Sequence, residues 1–179
     1  LAKHGYDHNI SYPLLGLANL GRTTLIFSAV ALVLHILSVV VWLGGMIFAH
    51  QMLRPAAASV LEPPQRLALW AGVLSRFFPW VWAAVILLLT TGLWLIFDIY
   101  DGFSRAPIYV HAMFGLGLVM MALFFHVYFA PFKRLKSAVQ DEAWPDGAAQ
   151  IGQIRRLVGI NVLLGIATVI AAAGGGFMF

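Results

Sequence analysis

The chain has no cysteine. Disulfides and cysteine-held iron–sulfur clusters are therefore closed to it. Charge is scarce as well: Asp, Glu, Lys and Arg make up 10% of the residues, against about a quarter in an average soluble domain. Four stretches carry no Asp, Glu, Lys or Arg at all: residues 23–53, 77–97, 108–132 and 157–179. Each exceeds the roughly 20 residues needed to cross a hydrocarbon core. Strand-sized runs of alternating polar and apolar residues are missing, which argues against a barrel and leaves helices to satisfy the backbone in lipid. No acidic residue falls inside any of these four stretches, so no carboxylate is placed within them to carry a proton. The net charge of +4 does not indicate a nucleic-acid partner, because the basic residues flank spans and form no free-standing patch.

What remains is 61% hydrophobic and predicts an all-α integral membrane protein. The expected architecture is a four-transmembrane-helix antiparallel bundle built from two parallel two-helix repeats. Its spans fall at about residues 25–53, 77–98, 108–131 and 157–178, within a domain of residues 23–179. Residues 1–22 form an outer-side N-terminal segment without the basic-then-apolar order of a signal peptide. In it, His4, Asp7 and His8 are either solvated or a divalent-ion site, and Pro13, Gly16 and Gly21 argue against a long regular helix. Thr23 and Thr24 are placed to cap the first span. Residues 66–75 suggest a short amphipathic surface helix. Arg54, Arg66, Arg76, Lys133, Arg134, Lys136, Arg155 and Arg156 lie in or beside the first and third loops; Lys3, Arg22 and Arg105 lie on the other side. The positive-inside rule then puts those loops in the cytoplasm of a bacterial inner membrane, with both termini on the periplasmic side.

Charge-poor spans make their histidines conspicuous, since an ionisable group within a span marks a functional site by default. Four of the six histidines join one repeated pattern: His35, His50 and Pro55, then His111, His126 and Pro131, with the second histidine of each set fifteen positions after the first. Fifteen residues rise about 22 Å along a helix and turn about 60° past whole turns. On parallel helices His35 faces His111 and His50 faces His126, and each pair is an axial ligand set for one haem b. Arg54, Arg76, Arg105, Arg155 and Arg156 lie where they can pair with propionates. Asn161 can hydrogen-bond across helices or to a histidine's second nitrogen. Gly44 and Gly45, beside Trp42, serve either close packing or a porphyrin edge.

This reading predicts a b-type cytochrome, with two haems or one, passing electrons between a quinol or haem partner and another redox centre. Its partners are the lipid bilayer, quinone, and a redox protein or a second copy in a homodimer. Three alternatives stay open. The first is a copper transport or resistance protein using His35, His111 and thioethers such as Met46, Met113, Met120 and Met121, which are otherwise apolar filler. The second is a haem enzyme of the protoporphyrinogen-oxidase kind. The third is a structural subunit whose histidines are polar core residues.

Over about residues 25–178 the chain resembles the CopD-like family of bacterial membrane proteins. The resemblance is carried by residues 35–45 (HILSVVVWLGG), by the stretch from Arg76 onward, and by residues 155–161 (RRLVGIN) with the apolar run that follows. The helix from His111 is similar to the third helix of HemJ-type protoporphyrinogen oxidases. The resemblance implies copper handling or haem-dependent redox work, and the HemJ-type likeness implies haem b at His35 and His111.

Overall fold

The computed structural model describes residues 11–178, with side chains over 23–175; the His4, Asp7 and His8 group lies outside them. The order is α1 (Ser11–Ile47), a six-residue π-helical segment (Phe48–Leu53), α2 (Arg54–Val60), α3 (Pro63–Tyr100), a 3-10 turn (Phe103–Arg105), α4 (Ile108–Phe129), α5 (Pro131–Gln140) and α6 (Trp144–Met178). Among the described residues, four stretches of helix are long and apolar enough to cross a membrane: Thr23–Val60, Pro63–Tyr100, Ile108–Gln140 and Trp144–Gly175. The chain is a multi-pass membrane helical bundle in contact with the lipid bilayer. Leu25, Ile26, Phe27, Val30 and Val33 of α1 are exposed, as side chains that face lipid tails must be.

Helix boundaries follow local chemistry. α3 opens on a capping box in which Glu62 and Gln65 satisfy each other's backbone amides, with Pro63 and Pro64 in the first turn where a missing amide costs nothing. It closes at Asp101 and Gly102, both at positive φ, a conformation that glycine enters freely. The prolines of the repeated pattern act in two ways. Pro55 sits just after the π segment (Phe48–Leu53), because a proline removes an amide and crowds the carbonyl four residues back. Pro131 instead ends α4 at Ala130 and starts α5.

Several sequence expectations are replaced. Among the described residues α1 already runs from Ser11, so Thr23 and Thr24 lie inside it rather than capping it, and Pro13, Gly16 and Gly21 do not interrupt it. The surface helix over residues 66–75 does not form separately: it is the start of α3, and Leu67 and Leu74 are core residues. α3 has 38 residues, about 57 Å of helix, so it runs beyond the hydrocarbon layer at the end that carries Arg66. The third loop contains the amphipathic α5, with Phe132, Leu135 and Ala138 buried and Lys133, Arg134 and Lys136 exposed.

α1 packs along α3 and α4 along α6, with smaller contacts closing the ring between α1 and α6 and between α3 and α4. α1 and α4 therefore stand across a diagonal and approach through side chains such as Trp42 and Phe124, whose ring centroids are 6.2 Å apart. Without a hydrophobic drive between helices in lipid, close packing at small residues holds such bundles together. A Cβ at Gly45 would stand 2.4 Å from Phe77 Cε2, and one at Gly165 would stand 2.6 Å from Leu43 Cδ1. Phe78, Trp82, Phe124, Tyr128 and Phe132 form an aromatic core in the half nearer the basic residues.

Candidate functional site

Two chambers lie inside the bundle, and Trp42, only 3% exposed, lines both. The distal chamber, about 350 Å³, lies away from the basic end. It is lined by His35, Gly92, Tyr100, Tyr109, Met113, Met120, Met121 and Thr168, among apolar neighbours. Met120 and Met121 are buried. The Tyr100 and Tyr109 hydroxyls hydrogen-bond across its edge at 2.9 Å.

The imidazole of His35 is held in one tautomer. Thr91 donates its hydroxyl proton to Leu87 O at 2.5 Å. A hydroxyl has one proton but two lone pairs, so His35 Nδ1–H donates to Thr91 Oγ1, 2.9 Å away. Nε2 is left with its lone pair. Gly92 makes room for the ring, since a Cβ there would stand 3.2 Å from His35 Cε1. Thr168 Oγ1 donates to Leu164 O at 2.8 Å and makes a longer contact of 4.0 Å to the Met120 sulfur, which keeps a second lone pair. One imidazole nitrogen and three thioethers thus share a chamber that no Asp, Glu, Lys or Arg lines. That is a donor set for a soft monovalent metal such as Cu(I).

The basic-end chamber, about 370 Å³, is lined by Met46, His50, Arg54, Arg66, Arg155 and Asn161, with Trp70, Phe77, Phe78 and Phe124 along its walls. His50 reaches it from the π segment, beside Gly159, where a Cβ would stand 3.4 Å from His50 Cε1. The wider π turn takes up the angular excess that a fifteen-residue interval leaves in a regular helix. α4 has no such segment, and both its histidines are exposed. Asn161 donates from Nδ2 to Met120 O on α4 at 3.3 Å, and its buried Oδ1 has no partner among the described residues.

The remaining residues singled out from the sequence lie elsewhere. His111 is bonded through Nδ1 to Pro107 O at 3.2 Å. His126 accepts from Gln153 Nε2 at 3.3 Å. Arg105 pairs with Asp101 at 2.6 Å, both exposed. Arg76 turns back to Gly72 O of its own helix, and Arg156 is exposed. Arg66 and Thr91 gain importance that spacing did not reveal. Arg66 is brought to the chamber by the uninterrupted start of α3, and Thr91 is visible in sequence only as a polar residue within a span.

A family model for copper resistance protein D matches residues 71–174, more than half of the 179. The match takes in most of α3, all of α4 and α5, and most of α6; α1 lies outside it. No curated protein matches, and no solved structure matches.

These findings overturn the b-type cytochrome expectation and its haem b cofactors. The family is one of copper resistance, and the paired imidazoles do not assemble. His35 lines the distal chamber and His111 does not; His50 lines the basic-end chamber and His126 does not. Among the described residues no three His, Cys, Asp or Glu side chains gather as a metal site. The physical reason is the diagonal placement of α1 and α4, together with a bulge in one helix that the other lacks. Gly45 is likewise packed against Phe77 and offers no room for a porphyrin edge. A haem enzyme of the oxidase kind loses its ligand pairs in the same way.

Proposed function

The chain belongs to the copper resistance protein D family, and from that premise we propose that it is a copper-handling membrane protein which holds Cu(I), as cargo, in its distal chamber. The ligands are His35 Nε2 and the thioethers of Met113, Met120 and Met121. The observation that carries this reading is that one imidazole, with its lone pair turned free by Thr91, shares an uncharged chamber with three methionines. Soft thioether and imidazole donors favour Cu(I) over hard cations. A chamber without fixed charge suits a monovalent ion that sheds its water for such ligands. Trp42 closes the chamber toward the basic end. The loops rich in Lys and Arg face the cytoplasm of a bacterial inner membrane, so the distal chamber lies nearer the periplasm. The tight packing of α1 on α3 and of α4 on α6, with the recurrent His–His–Pro spacing, supports descent from a duplicated two-helix unit.

The test is Cu(I) titration of the purified chain under reducing, oxygen-free conditions, in competition with a chromogenic chelator. Wild-type protein binds one Cu(I) in the chamber. His35→Ala and Met121→Leu each weaken it by at least about ten-fold, the lower bound for losing even an indirect partner of a metal ligand. His111→Ala leaves it unchanged. Full-affinity binding by a His35→Ala, Met121→Leu double variant would end the proposal.

A further inference from the structure

We propose that the basic-end chamber is a binding site for a single-chain anionic amphiphile: a carboxylate or phosphate head, an apolar body, and a hydrogen-bond donor at the far end. The head is specified by Arg54, Arg66 and Arg155, which come from α2, α3 and α6 and line the same chamber. None of the three guanidiniums has an ion-pair or hydrogen-bond partner among the described residues. The ion pair found there, Arg105 with Asp101, is at the opposite end of the bundle. Glu62, the carboxylate nearest Arg66 in sequence, is committed to capping α3. Three guanidiniums lining one chamber, with no protein carboxylate to pair them, suit an oxyanion, which each can grip with two parallel N–H donors. The basic residues of α5 differ in place rather than in exposure: Lys133, Arg134 and Lys136 line neither of the two chambers, whereas Arg54 and Arg155, also exposed, and the half-buried Arg66 stand at the mouth of this one.

The body is specified by the walls. From Arg54 to Trp42 the chamber follows twelve residues of helix, about 18 Å. Its sides are Leu67, Leu74, Phe78, Val81, Phe124 and Val127. A volume of about 370 Å³ lies in the range of small-molecule sites. The far end is specified by Asn161, 4% exposed, whose Oδ1 lacks a donor although its Nδ2 is satisfied. A buried acceptor without a partner is costly, and a hydroxyl at the buried end of the ligand removes that cost. The same arginines repel a bare metal cation, so this chamber is separate from the copper site, and its test is made without copper.

The test is isothermal titration calorimetry of the full chain in a neutral detergent. The probes are 12-hydroxydodecanoate, dodecanoate and 1,12-dodecanediol. The hydroxy acid binds tightest. Dodecanoate, lacking the donor for Asn161, binds about ten-fold more weakly, and the uncharged diol more weakly still, as expected for losing one buried hydrogen bond and one charge-assisted contact. Arg155→Gln weakens both acids by about ten-fold while keeping the preference for the hydroxyl. Equal affinity for the diol and the hydroxy acid overturns the arginine head site, and equal affinity for the two acids overturns the Asn161 contact. Unchanged binding in a variant with Arg54, Arg66 and Arg155 all replaced by Gln overturns the whole assignment. The ligand comparison needs no variant, so it stands even if a substitution harms folding.

Discussion

Thr91 touches no metal in the proposed site, yet it decides which nitrogen of His35 is free. Its single proton goes to Leu87 O, so it can only accept from Nδ1, and the outward lone pair is that of Nε2. Valine at this position keeps the shape and removes the acceptor. The ring is then free to rotate or change tautomer, and Thr91→Val is expected to weaken Cu(I) binding by about ten-fold or more, the usual effect of losing a partner that orients a metal ligand. Chelator competition gives the affinity, and the far-ultraviolet circular dichroism should be unaltered. Equal affinity in Thr91→Val would mean that His35 is oriented by something else or is not a ligand. At this scale the sequence was informative about His35, because an imidazole in an uncharged run stands out. It raised Met113, Met120 and Met121 only together with Met46 and chiefly as apolar filler, because helical spacing cannot tell a thioether that fills a gap from one that faces a chamber.

Gly44 and Gly45 are adjacent in sequence, and the helix turns them to different fates. A Cβ at Gly44 would meet nothing within 4 Å, whereas one at Gly45 would stand 2.4 Å from Phe77 Cε2, at the packed face of α1 on α3. Gly45→Ala is therefore expected to cost about 1–3 kcal/mol through overpacking. Gly44→Ala should be neutral or gain up to about 1 kcal/mol of helix propensity. Thermal unfolding in detergent separates the two, with a lower Tm for Gly45→Ala alone; equal Tm values would mean that α1 and α3 are not in this register. The sequence disclosed these helices well, because uncharged runs of more than twenty residues admit no other element in lipid. It misjudged their ends: α3 extends back to Pro63 and α6 back to Trp144, since helix continues past the membrane wherever caps and a packed face sustain it. The His–His–Pro pattern was legible too, but its consequence was not. The same proline follows a π segment in α1 and marks a break in α4, so equal spacings place their histidines differently.

Across the whole molecule the two chambers differ in the kind of ligand they suit. One offers imidazole and thioether without fixed charge; the other is ringed by guanidiniums. Their partition at Trp42 divides the bundle into a soft-metal end and an anion end, and the biological meaning of that polarity depends on which end faces the cytoplasm. Eight of the eleven basic residues sit at or beside the anion end, and the orientation proposed above from the positive-inside rule turns that end inward. The absence of cysteine gives this a clean test, since any introduced thiol is the sole target of a thiol reagent. Ser104 and Ser137 are both exposed and lie at opposite ends of the bundle. A membrane-impermeant maleimide applied to spheroplasts should label Ser104→Cys and spare Ser137→Cys, and inverted vesicles should reverse the result. The opposite labelling would put the methionine chamber nearer the cytoplasm, and copper would then be collected from inside the cell rather than from outside it.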